Sequence, residues 1–262
     1  MCLILLSFQP DAPQPLVVAA NRDEFYARPA LGAHYWSDNT DIFAGRDLTA
    51  GGTWLGTTKS GRFAALTNFS AGDPPRDYPQ SRGALVADFL GSAQSAEAYV
   101  AGLKGEQYAG FNLLVFDGTT LCYANNKGFD NQVLAPGAYG LSNAELSAAW
   151  PKAAEGAAAL GDLVNTPGDK HDPDIPALLA VLGDTTPPPD HRLPQRQHLQ
   201  DAPIETRRAL AARFIEGDDY GTRAMSILKF SAAHTDVYEQ QVGPHGKLGG
   251  AVFARVPRSH AP

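Results

Sequence analysis

The sequence has little cysteine and no long apolar run. Cys2 and Cys122 are the only cysteines in 262 residues, so we expect no disulfide framework and a reducing, cytoplasmic setting. No stretch approaches the roughly 20 apolar residues that a membrane-spanning helix needs. The opening run Leu3–Leu6 is too short for a secretory signal and is soon followed by Pro10. We therefore expect a soluble protein that does not span a membrane.

Positive charge is also scarce. Lys and Arg number 21 against 28 Asp and Glu, which gives a formal net charge of -7. An acidic chain of this kind argues against nucleic acid as a partner. His191 and His198 lie in a polar stretch without metal-ligand spacing and are expected to be solvated. We therefore expect neither a metal nor a cofactor.

The predicted elements follow the order strands, helices, strands, helices, strands. Because the helices cluster instead of alternating with strands, this order favours antiparallel sheets covered by helices over a doubly wound parallel sheet. We interpret the proline-rich region 161–203 as an elaborated loop and predict a single α+β domain over residues 1–262. The predicted strands are 2–9, 16–21, 62–68, 111–116, 121–124, 225–230, 235–242 and 251–256. Two helices are predicted to begin at Ser81 and near Ser95. Three more are predicted at 148–160, 175–182 and 205–215, and Ser147 is expected to cap the first of these three.

Cys2 is the second encoded residue. Methionine aminopeptidases generally remove Met1 when the next side chain is small, and removal would leave a thiol and a free α-amine on one residue. The thiolate is the nucleophile, and an α-amine, which titrates near about 8, can act as a base close to neutral pH. This combination is the N-terminal nucleophile arrangement. We expect the base and a neighbouring cation to lower the pKa of the Cys2 thiol, whereas the apolar strand around Cys122 should raise that of Cys122. The simpler alternative is that Cys2 is a small buried residue of a first strand.

A polar segment, Asn21–Glu24, directly follows the apolar run Leu16–Ala20. The apolar run is typical of a buried strand and is expected to form a hairpin with residues 2–9. Four polar residues at the end of that strand would face the start of its neighbour, where Cys2 lies. The alternative is a solvated turn.

Three further polar residues are predicted at strand ends, namely Asn68, Asn143 and Arg223. In acyl transfer, Asp23 would accept a hydrogen bond from the Cys2 amine. The side-chain amide of Asn143 and the main-chain N–H of Asn68 would stabilise the oxyanion, and Arg223 would hold the thiolate or a substrate carboxylate. The alternatives are turn residues for both asparagines and a surface charge for the arginine.

The segment Gly51–Gly56 has glycines at both ends, which indicates tight turns or close backbone approach. No Gly-Lys-Ser/Thr ending follows, so the segment is not a phosphate loop. We interpret Trp54 within it as a wall of the core or of a pocket.

Taken together, these motifs resemble the NRDE family, the homologues of transport and Golgi organisation protein 2. The resemblance covers nearly the whole chain, although Ser147 stands where the family tends to have an acidic residue. It rests on the following residues: Met1-Cys2, Ala20–Glu24, Gly45–Asp47, Gly51–Gly56, Gly61–Asn68, Ser81–Gly83, Gly110–Leu114, Tyr139–Ala144, Trp150–Lys152 and Tyr220–Arg223.

The NRDE family in turn is similar to N-terminal nucleophile hydrolases of the penicillin V acylase and bile salt hydrolase type. That similarity implies a four-layer α-β-β-α sandwich. It also implies a catalytic set of Cys2, Asp23, Asn68, Asn143 and Arg223. Arg22 competes with Arg223 for the place of the site arginine and, with Trp54, is expected to contact the substrate.

The leading functional hypothesis is a cytoplasmic amidohydrolase that acts on a small acylated amide. The eukaryotic members of the family are linked to haem mobilisation and lipid metabolism. The alternative is therefore a non-catalytic carrier that binds haem or an acyl lipid in the same pocket. The chain has no Cys-Pro haem signature, and its histidines are scattered.

Overall fold

The computed structural model describes residues 2–69, 77–128, 130–146, 148–165, 173–195 and 199–259. Its strands form two antiparallel sheets. The strands are β1 Cys2–Phe8, β2 Leu16–Phe25, β3 Ala30–Tyr35, β4 Ile42–Asp47, β5 Leu55–Thr58, β6 Phe63–Asn68, β7 Phe111–Phe116, β8 Leu121–Asn125, β9 Gln132–Val133, β10 Gly137–Leu141, β11 Tyr220–Phe230, β12 His234–Val242 and β13 Leu248–Pro257. The first sheet has the order β10-β1-β2-β11-β12-β13, and the second runs β3-β4-β5-β6-β7-β8-β9.

The helices begin where the sequence provides caps. The hydroxyl groups of Ser81 and Ser95 accept hydrogen bonds from main-chain N–H groups in the first turns that follow them. The helices are α1 Arg82–Leu90, α2 Ala96–Ala101, α3 Pro151–Asn165, α4 Ile175–Leu182 and α5 Ile204–Ala211. Across the part of the chain that the structure describes, no helix has the length and apolarity to cross a bilayer.

Three apolar clusters define the layers. Side chains alternate along β1, so Ile4 and Leu6 join the cluster between the two sheets, whereas Leu3 and Leu5 join a second cluster with α3 and α4. The third cluster joins the outer face of the second sheet to α1 and α2 and includes Phe89. Helices thus cover the outer face of each sheet, which confirms the predicted α+β fold as a four-layer α-β-β-α sandwich.

The N-terminal hairpin is confirmed, with Cys2 opposite Arg22 in the register of β1 and β2. The prediction that β2 ends at Asn21 is wrong, because β2 continues to Phe25. Its last residues pair with β11, where Thr222 lies opposite Asp23. Pairing with two neighbouring strands therefore keeps the polar segment extended.

The predicted helix at 175–182 is confirmed to the residue. Helix α3 starts three residues later than predicted, at Pro151, a residue that favours the first helical turn. Its predicted cap, Ser147, and the predicted solvated His198 lie outside the described residues. Strand β3 was not predicted. It is a sheet edge of mixed burial without a continuous apolar run.

Candidate active site

A cavity of about 290 Å³ lies where β1 begins and β6 ends. Six of the seven site residues predicted from the sequence line it: Cys2, Arg22, Asp23, Trp54, Asn68 and Arg223. The seventh, Asn143, is buried and bonded to Asn68, just behind the lining. The two sheets and the segment that follows β10 thus bring the predicted residues together.

Cys2 and Arg22 share the face of the first sheet that looks toward the second. Cys2 is two residues from Ile4, which packs between the sheets, and residues opposite each other in a sheet point to the same side. The Nη2 atom of Arg22 lies 3.9 Å from Glu24 Oε2 and 3.8 Å from Asp47 Oδ2. These separations exceed hydrogen-bond distance, so the Arg22 guanidinium is paired only loosely.

Asp23 belongs to the opposite face of β2, beneath α3. Its Oδ1 accepts a hydrogen bond of 2.8 Å from the Thr222 hydroxyl. Its Oδ2 lies 3.9 Å from Nζ of Lys152, and the two side chains are 0% and 2% exposed. The charge of Asp23 is therefore balanced from the helix side, and its main chain faces Cys2.

Asn68 and Asn143 are directly joined, because Nδ2 of Asn143 donates to the main-chain oxygen of Asn68 over 2.8 Å. In β6, the N–H of Leu66 donates to the main-chain oxygen of Trp54, the residue just before β5. Residues two apart in a strand direct their N–H groups to the same side. The N–H of Asn68 therefore points to the same side of β6 as that of Leu66, which is the side of the cavity. One of the two Asn143 amide protons is engaged by Asn68 itself.

Arg223 sits at an irregularity of β11. The pairing with β2 shifts between Thr222 and Ala224, which leaves Arg223 as an additional residue. Such bulges re-aim side chains and are frequent beside active sites. The Arg223 guanidinium donates to the main-chain oxygens of Phe25 and Arg28. Burial and the neighbouring Arg22 charge lower the pKa of Arg223.

Trp54 serves both parts of its predicted role. The ring packs against the cluster between the sheets, and the residue also lines the cavity. It is thus a wall shared by the core and the pocket.

The thiol of Cys2 differs from the sequence prediction. We expected its surroundings to lower its pKa, but burial raises it, and the Asp23 carboxylate acts in the same direction. Arg22 and the main-chain N–H of Asp23 act in the opposite direction without prevailing. Burial also raises the pKa of Cys122, to about 11.

Three residues near the cavity were not predicted as functional. Lys152 pairs with Asp23 from α3, and its only sequence signal is its place in the Trp150–Lys152 motif. Glu239 lines the cavity and is buried. The sequence signal of Glu239 is its place two residues after Val237 in β12, which puts a carboxylate on the same face of the strand as an apolar residue. Ser142 bonds to Cys2 and Asn143, and its only sequence signal is its place in the Tyr139–Ala144 motif.

Comparison with known proteins gives two kinds of similarity. A sequence model of the family Transport and Golgi organisation 2 matches residues 1–243. The chain is 36% identical over 249 residues to the Transport and Golgi organization protein 2 homolog of Bos taurus, across 88% of this chain and 89% of that protein. It is 41% identical over 168 residues to the Homo sapiens homolog, across 58% of this chain and 60% of that protein.

Similar solved structures include the C2A mutant of conjugated bile acid hydrolase from Clostridium perfringens. Its TM-score is 0.48 at 9% identity, across 97% of this chain and 92% of that chain. Another is the Caenorhabditis elegans ortholog of N-acylethanolamine-hydrolyzing acid amidase, with a TM-score of 0.49 at 11% identity, across 87% and 92%.

Proposed function

The chain belongs to the Transport and Golgi organisation 2 family, and from the geometry around Cys2 we propose that it is a cysteine amidohydrolase of the N-terminal nucleophile type. The substrate would be a small acylated amide. The observation that carries this proposal is the meeting of Cys2, Arg22, Asn68 and Arg223 in one cavity. This assignment requires removal of Met1, so that Cys2 carries a free amine.

The proposed reaction begins with transfer of the Cys2 thiol proton to its own α-amine. The sulfur attacks the amide carbonyl, and the leaving amine takes the proton as the C–N bond breaks. Water then cleaves the thioester, which releases the acid and restores the thiol. A free cysteine thiol, which titrates at about 8.5, is mostly protonated at neutral pH, so it needs a base close by.

The oxyanion of each tetrahedral intermediate would form near β6. The N–H of Asn68 points toward the cavity, and the Asn143 amide reaches the oxygen of the same residue. Preorganised donors of this kind contribute about a hundredfold or more to turnover. We expect Asn143→Ala to lower kcat by at least that factor with little change in melting temperature. Lower stability with unchanged turnover would instead assign Asn143 to structure.

The charges of the cavity favour a substrate with a carboxylate. Asp47 forms an ion pair of 2.6 Å with Arg28. Asp47 and Glu24 also lie 3.8 Å and 3.9 Å from the Arg22 guanidinium. Among the described residues, no carboxylate lies within ion-pair distance of Arg223. An N-acyl amino acid would supply the missing negative charge beside its scissile amide.

The test is amine release from N-acyl amino acids and from their methyl esters. We expect wild-type protein to hydrolyse the free acids faster than the esters, because Arg223 attracts the carboxylate. Cys2→Ala should abolish release, and Cys122→Ala, the matched control, should retain it. Full activity in Cys2→Ala would exclude Cys2 as the nucleophile.

A non-catalytic carrier of haem or an acyl lipid is the second candidate, and the cavity rim supports it. Leu31 lines the cavity although the residue is 49% exposed. Apolar surface next to arginines suits an amphipathic acid. Protein that keeps Met1 and co-purifies with a stoichiometric ligand would favour the carrier.

A further inference from the structure

We propose that Ser142 is a positioning residue that orients the Asn143 amide relative to Cys2. This inference rests on the proposed function, because it concerns the geometry of the oxyanion donors. Its basis is a direct chain of hydrogen bonds. The Ser142 hydroxyl donates to the main-chain oxygen of Cys2 over 2.9 Å and lies 3.2 Å from Oδ1 of Asn143. Its single proton is shared between these two acceptors.

The hydroxyl fixes which way the Asn143 amide points. The oxygen and nitrogen of a side-chain amide lie on opposite sides of the group, so a donor at Oδ1 directs Nδ2 the other way. Here Nδ2 reaches the main-chain oxygen of Asn68 over 2.8 Å. Ser142 therefore connects Cys2 to the side-chain amide of Asn143, which in turn bonds to Asn68 in β6.

The main chain around Ser142 is held by other residues. The hydroxyl of Thr67 donates to the Ser142 oxygen. Nδ2 of Asn112 lies 3.3 Å from that oxygen and 2.9 Å from the oxygen of Ala144. The Tyr123 hydroxyl donates to Oδ1 of Asn112 over 2.7 Å and so sets the direction of this amide.

Different residues therefore hold the main chain at position 142 and orient the Asn143 amide. The segment after β10 stays on the second sheet through Thr67 and Asn112, whichever side chain occupies position 142. Among the described residues, the Ser142 hydroxyl bonds to Cys2 and Asn143. Its removal should therefore loosen the Asn143 amide and leave the fold in place.

The matched control is Ser7, which is also a buried serine and lies near the far end of β1. The first measurement needs no substrate. NMR reports hydrogen exchange of the Asn143 side-chain amide protons in wild type, Ser142→Ala and Ser7→Ala. We expect Ser142→Ala to speed this exchange at least tenfold and Ser7→Ala to leave it unchanged. Equal exchange in all three proteins would overturn the proposal.

The second measurement is turnover of the N-acyl substrate. We expect Ser142→Ala to lower kcat about tenfold with KM unchanged, and the loss should be much smaller in an Asn143→Ala background, because the hydroxyl acts through that amide. Multiplicative losses, or an unchanged kcat in an active wild type, would overturn the positioning role alone. A wild type without turnover counts against the proposed function, while the exchange measurement still decides the role of Ser142.

Discussion

Cys2 and Cys122 carry the same side chain in different surroundings. Cys2 is partly exposed and lines the cavity, whereas Cys122 is buried in β8 beneath the helices. Access to the cavity therefore separates the two thiols, whereas burial raises the pKa of both. The raised pKa of Cys2 corrects the expectation, drawn from the sequence, that a base and a cation beside this thiol lower its pKa.

We predict that iodoacetamide labels Cys2 much faster than Cys122 in the folded protein. Only thiolate reacts, so the Cys2 rate should keep rising with pH above neutrality, because its pKa is raised. Peptide-resolved mass spectrometry at several pH values measures both rates. Protein unfolded in guanidinium is the control and should show similar rates. Similar rates in the folded protein would contradict the prediction.

Several site residues were accessible to sequence reasoning for a physical reason. Arg22 and Asp23 stand directly after an apolar run that opposes the start of the chain, so local pattern and hairpin pairing suffice to bring them to Cys2. Lys152 reaches Asp23, and Glu239 reaches the cavity, only through packing of α3 and β12. No local pattern encodes such distant partners.

At the scale of elements, α3 packs directly on β10 at Gly140. A Cβ atom added at Gly140 would overlap the main-chain oxygen of Ala153 in α3. Backbone cannot yield as a flexible side chain can. Glycine at position 140 is therefore what allows the helix to approach the first sheet.

We predict that Gly140→Ala destabilises the fold by about 1–3 kcal/mol, the usual cost of overpacking. Urea unfolding measures the change in free energy of unfolding. Gly250→Ala in β13 is the control, because no atom lies within 4 Å of a Cβ added there, and it should change stability by less than about 0.5 kcal/mol. Equal stability of the two variants would show that α3 is free to move.

Elements were predictable where local pattern agreed with tertiary pairing. The apolar run of α4 ends at Gly183, a common helix terminator, and its bounds were predicted to the residue. The polar half of β2 was predicted as a strand end, because its extended conformation depends on β11, some 200 residues away. Single-sequence polarity does not contain that pairing.

At the scale of the molecule, Glu239 bridges the two sheets. Its Oε1 accepts the N–H of Ala33 in β3 over 2.7 Å, and its Oε2 lies 3.3 Å from the Ser226 hydroxyl in β11. Burial raises the pKa of this carboxyl, and the charge of Arg22 opposes that rise. The folded state therefore favours the protonated form of the Glu239 carboxyl.

The pH dependence follows from this direction. A carboxyl whose pKa is higher in the folded state contributes stability that is complete below its unfolded pKa, near 4.5, and is lost as pH rises through the folded pKa. Glu239→Gln keeps an acceptor for Ala33 and places a donor toward Ser226, and it cannot ionise. We predict that its stability relative to wild type increases from pH 4 to pH 8, measured by urea unfolding. A constant difference across that range would refute the role of ionisation.

The layered architecture was predictable in class because the order of strands and helices excludes a regular parallel sheet. Assignment of strands to one sheet or the other was not, since residues that pair between β1 and β10 are 129 to 137 positions apart. The same long-range pairing carries Ser142 and Asn143 to Cys2.

The central claim is that Cys2 acts as an N-terminal nucleophile, and the most direct measurement is the intact mass of protein expressed without an N-terminal tag. We predict that Met1 is absent, because the following cysteine side chain is small and the proposed base is the α-amine that removal frees. Retention of Met1 in most molecules would turn that amine into an amide and contradict the mechanism.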